Sequence, residues 1–131
     1  MDEFNKHVNY MENHDFDKKG NLINKSIPNN IFVVIMIQAS WCHFCKQAKP
    51  HFQKFAKKHK NKVFCVTIES NGERESEKKL GNRINEFVPE FKGFPHYILY
   101  KDGKMVNKKI KGRSVEHLEN FVGINMSKDR K

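Results

Sequence analysis

The chain has 131 residues, with 25 Lys plus Arg against 15 Asp plus Glu and a formal net charge of +10 at pH 7. That length suits one domain with a proper core, and eleven Phe with several Ile and Val runs exclude a disordered polyelectrolyte. No apolar run nears the ~20 residues of a membrane span, and the first residues lack the apolar core of a secretory leader. The expectation is an intracellular, cytoplasmic monomer.

Phe4, Val8 and Met11 recur at helical spacing, which predicts an amphipathic helix over residues 1–14. Residues 15–30 carry Gly20 and Pro28 and read as a connector, with Leu22-Ile23 as a short edge strand. The run Ile31 to Gln38 has too little alternation for a half-exposed strand and suits one buried on both faces. Behind Cys42 a helix places Phe44, Ala48, Phe52, Phe55 and His59 on one stripe, with Pro50 expected to kink it. A buried strand, Val63–Ile68, follows. After the polar stretch Ser70–Lys79, Leu80, Ile84 and Phe87 mark another amphipathic helix. Tyr97–Tyr100 and Met105–Ile110 form a hairpin around Asp102-Gly103, a strong turn signal. Ser114 can cap a last helix with Val115, Leu118, Phe121 and Val122 inward, and residues 125–131 read as a frayed tail.

Three cysteines are too odd a number for a structural disulfide framework and fit one reactive pair plus a remainder. The remainder, Cys65, lies in the apolar strand and reads as core. The pair is Cys42-His43-Phe44-Cys45, between a strand and a helix, the order expected of a thiol–disulfide redox site. A helix N-terminus offers unpaired N–H groups and partial positive charge, so a thiolate is favoured at Cys42. Cys45, one turn on, is within reach to close a disulfide. A zinc site would need four ligands, and there is no second Cys pair or well-spaced Cys/His pair. The expectation is therefore no metal and no cofactor. The lysines are spread along the chain without a nucleic-acid motif, so they read as a solvated face whose charge favours acidic partners.

Trp41, Cys42, Cys45, Lys46 and Pro50, with Gly93-Phe94-Pro95 and the Asp102-Gly103 hairpin downstream, resemble the thioredoxin family over roughly Ile31 to Val122. The resemblance implies an α/β thioredoxin fold, a central mixed sheet flanked by helices. With the length, the expectation is a single domain over 1–131, with a divergent N-terminal helix and connector over 1–30, a core over 31–122 and a flexible tail over 123–131. Cys42 would be the nucleophile and Cys45 the resolving thiol. Trp41, His43, Phe44, Phe94 and a cis Pro95 would bind substrate. Protein disulfides would be the substrates, and a reductase or thiol pool would recycle the pair. No specific nucleic acid and no membrane is implied as a partner.

Two departures bear on mechanism. His43-Phe44 replaces the usual Gly-Pro, and His43 either stabilises the Cys42 thiolate or simply faces solvent. Met36 stands where many members of the family carry a buried acid, and Thr67 where a Lys is often paired with it. His96 is a possible substitute for the missing proton carrier, although a structural strand residue is the plainer reading. The rival function is a non-catalytic thioredoxin-like interaction module with a vestigial cysteine pair.

Overall fold

The computed structural model describes residues 4, 7–72, 75–88 and 93–124. Strands β1 (Asn9–Tyr10), β2 (Phe32–Gln38), β3 (Val63–Glu69), β4 (His96–Lys101) and β5 (Lys104–Val106) form one sheet in the order β1-β3-β2-β4-β5. β1 and β2 run parallel to β3, while β4 runs antiparallel to both β2 and β5. Helices α1 (His43–Lys58), α2 (Glu75–Phe87) and α3 (Val115–Val122) flank it. This is the mixed sheet with flanking helices of the thioredoxin fold.

β2 is the centre because its sequence tolerates burial on both sides. Val34 and Met36 enter one apolar cluster with Cys45, Phe52 and Phe55 of α1 and Leu118 and Phe121 of α3. Val33, Ile35 and Ile37 enter a second cluster with Leu80 and Ile84 of α2. The two-residue period of a strand thus assigns alternate side chains to opposite layers. α1 continues through Pro50 as a single element. The β4–β5 hairpin turns at Asp102 (φ 51°) and Gly103 (φ 82°), both left-handed, as a tight two-residue turn requires. A Cβ on Gly103 would also stand 2.8 Å from the Leu22 carbonyl oxygen.

The structure corrects several expectations. Residues 7–14 form no α-helix: Asn9–Tyr10 pairs with Val66 and Thr67 of β3 and a 3-10 turn follows at Asn13–Asp15, while residues 1–3, 5 and 6 lie outside the described residues. Val8 belongs to the α1 cluster and Met11 to the α2 cluster, so the spacing that looked helical distributes side chains across the sheet. Leu22-Ile23 makes an isolated bridge from Leu22 to Phe16 rather than a strand. β5 ends at Val106, four residues short of Ile110. Phe44 leaves the buried stripe of α1 and is 53% exposed. The Phe87 side chain and the tail from Asn125 lie outside the described residues.

Candidate active site

Immediately beyond β2 the chain turns, and the Cys42 amide donates to the Ala39 carbonyl at 3.1 Å. That turn makes Cys42 the N-cap of α1, in extended conformation, with its Sγ accepting the backbone N–H of Cys45 at 3.1 Å. A cap sulfur stands where a helix presents its unpaired donors and the positive end of its dipole. Cys42 and Cys45 lie at disulfide distance, with Cα atoms 5.2 Å apart. Cys45 is fully buried, whereas Cys42 keeps 5% exposure.

Three segments surround it. Trp41 is 67% exposed, and its ring meets the Phe94 ring edge-on at 5.4 Å. Phe94 precedes Pro95 through a cis peptide bond, as the resemblance implies. Ser40 is tied to Asn71: its amide donates to the Asn71 Oδ1 at 2.9 Å, and Asn71 Nδ2 donates to the Ser40 hydroxyl at 2.6 Å. This clamp fixes the residue before Trp41 from the turn after β3. It was not legible in the sequence, because the partners are 31 residues apart and neither is unusual alone.

His43 is exposed, and its Nε2 lies 3.2 Å from the Gln47 amide one turn along α1. The ring is therefore engaged with its own helix, and its edge meets Phe44 at 5.9 Å. Across the exposed Phe44 ring lies the Arg113 guanidinium, 5.0 Å from the centroid. Sequence reasoning did not find Arg113, which comes from the loop before α3.

Met36 is fully buried directly opposite Tyr97, and the Thr67 hydroxyl is committed to the Met36 carbonyl at 2.7 Å. His96, the candidate proton carrier, alternates with Tyr97 along β4. It shares its face with Ile98 and Tyr100 of the α2 layer, whereas Tyr97 and Leu99 share the cluster of Cys45. His96 therefore lies on the wrong face of the sheet to serve Cys45. Cys65 is free and buried, and burial pushes its thiol far above the usual range.

A strand ending at a helix-capping cysteine, a second cysteine one turn on and a cis-proline loop alongside define a dithiol–disulfide exchange centre on a thioredoxin fold. The thioredoxin family profile matches residues 7–123, and the chain belongs to that family. It is a thioredoxin-like thiol–disulfide oxidoreductase carrying its redox pair at Cys42 and Cys45. Thioredoxin-like protein 453L of Invertebrate iridescent virus 6 is 38% identical, over 91% of this chain and 94% of the relative. Mitochondrial thioredoxin 3 of Saccharomyces cerevisiae superposes with a TM-score of 0.60 at 24% identity, over 88% of this chain and 93% of that one. The first thioredoxin domain of mouse protein disulfide-isomerase A4 gives 0.65 at 19% identity, over 92% and 76%. Among the described residues no helix is long and apolar enough to cross a membrane.

Proposed function

We propose that Cys42 is the attacking thiolate and Cys45 the resolving thiol in exchange with protein disulfides. The Cys42 thiolate attacks one substrate sulfur, forming a mixed disulfide and expelling the other substrate sulfur as a thiolate. Cys45, deprotonated, then attacks Cys42 Sγ, and the second substrate thiolate leaves. The substrate gains two electrons and two protons, and Cys42–Cys45 is left oxidised for a reductase or thiol pool to restore. A reducing compartment such as the cytoplasm suits that cycle.

The observation that carries this reading is the Cys42 sulfur, which accepts the Cys45 N–H at 3.1 Å and belongs to the residue of the pair that keeps any exposure. Trp41, His43, Phe44, Phe94 and Pro95 form the substrate platform around it. An extended substrate segment would lie against this rim, and the surplus positive charge favours acidic ones. Met36 supplies no acid–base group at its position, so the second step runs more slowly than with a buried carboxylate there. The test is turnover of a disulfide-bonded protein such as insulin. Cys42→Ser should show no turnover and no mixed disulfide, while Cys45→Ser should accumulate the mixed disulfide at Cys42. Turnover retained in Cys42→Ser would overturn Cys42 as the nucleophile, and absence of turnover in the wild-type chain would return the protein to the interaction-module reading.

A further inference from the structure

The Arg113 guanidinium is placed, not merely exposed. Its backbone directly precedes Ser114, whose Oγ accepts the His117 amide at 3.1 Å and caps α3. Its guanidinium carbon lies 5.0 Å over the ring of Phe44, a half-exposed residue between the two redox cysteines in sequence. Stacking occupies one face of the guanidinium and leaves its N–H edges available. Among the described residues no carboxylate pairs with Arg113.

No Asp or Glu occurs from Lys18 to Ile68, from Gly93 to Lys101, or from Gly103 to Val115. Those three spans supply the redox turn and α1, the cis-proline loop and the segment bearing Arg113. Lys46 and Lys111, both exposed, add positive charge on two of these spans. A placed cation with no carboxylate partner among the described residues, over the exposed ring of Phe44, complements a substrate that is apolar at its cysteine and acidic nearby.

We propose that Arg113, held on Phe44 beside the Cys42–Cys45 pair, is a specificity-determining residue that takes a carboxylate from the extended segment flanking a substrate disulfide. This rests on the exchange reading given above and adds the chemistry of the segment it accepts. The planar fork accepts a carboxylate through two parallel N–H bonds, a geometry a lysine in its place would not reproduce.

The experiment compares three disulfide-linked peptides, identical except for Glu, Gln or Lys two positions from the cysteine, as substrates of the full chain. The Glu peptide should exceed the Gln peptide by roughly three- to tenfold in kcat/KM, chiefly through KM, and the Lys peptide should be poorest. In Arg113→Gln the Glu-to-Gln ratio should fall to about one. Arg113→Lys should retain part of it, and Phe44→Leu, which removes the supporting ring, should reduce it. Equal wild-type turnover of the Glu and Gln peptides overturns this proposal alone, as does a ratio that survives Arg113→Gln. Absence of turnover on all three overturns the exchange reading and this proposal together.

Discussion

Tyr97 and Tyr100 show how differently two buried phenols on one strand can contribute. The Tyr100 hydroxyl donates to the Gly20 carbonyl at 2.6 Å, tying β4 to the N-terminal connector. The Tyr97 hydroxyl is buried without a hydrogen-bond partner among the described residues, its ring 5.9 Å from that of Phe52. Burial pushes both phenols well above their ordinary range, so both stay neutral at physiological pH. A buried hydroxyl lacking a partner carries its desolvation penalty uncompensated. Tyr97→Phe should therefore be neutral or raise stability by up to about 1 kcal/mol, while Tyr100→Phe should lower it by about 1–2 kcal/mol. Urea unfolding of the two variants checks the contrast, and equal losses would contradict it. At this scale the sequence was partly legible. Cys42, Cys45, Trp41 and the cis Pro95 stand in a recognisable pattern. Arg113 does not, because its placement depends on Phe44, from a different element 69 residues earlier.

The elements are joined by a small number of polar contacts, of which the buried one between α1 and α3 is most exposed to pH. Glu119 of α3 accepts from Lys58 at 2.8 Å and lies 2.7 Å from the ring nitrogen of His59, the residue capping α1. Burial pushes the Glu119 carboxyl up, but the hydrogen bonds and charges of Lys58 and His59 more than offset it, and the net shift is downward from 4.5. A carboxylate lowered on folding stabilises the protein above its unfolded pKa, and that contribution disappears as pH falls through the folded value. Glu119→Gln should thus cost about 1–3 kcal/mol at pH 7, with the difference from wild type shrinking once the pH drops well below 4.5. Unfolding curves at pH 7 and in acid measure it. The cap of α3 is a simpler case: Ser114→Ala should lose about 1 kcal/mol, read in the same assay. Most elements could be read from the sequence because period and cap agree, as in β2, α3 and the hairpin. The N-terminal segment could not. A two-residue strand presents too few positions for alternation to show, and its pairing with β3 is a tertiary fact.

For the whole molecule, charge separates steering from recognition. On the proposal above, the surplus of +10 would attract an acidic substrate from a distance, whereas Arg113 would contact it. These contributions lie at different places on the fold. β2 and β3 run parallel, so the start of β3 lies at the end of the sheet away from the redox turn that follows β2. Lys57, Lys60 and Lys62 are exposed around the last turn of α1 and the entry to β3. α1 is 16 residues long, which places them roughly 20 Å from Cys42. At that distance, about two Debye lengths at physiological salt, their effect is a long-range field that added salt removes. The triple substitution Lys57→Glu, Lys60→Glu and Lys62→Glu should lower kcat/KM for an acidic disulfide peptide a few-fold near about 10 mM salt. The loss should vanish by about 300 mM. The Glu-to-Gln discrimination ratio should stay at its wild-type value throughout, because no residue at the contact has changed. A ratio that fell with the triple substitution would mean that the preference belongs to the field of the molecule and not to the fork held on Phe44.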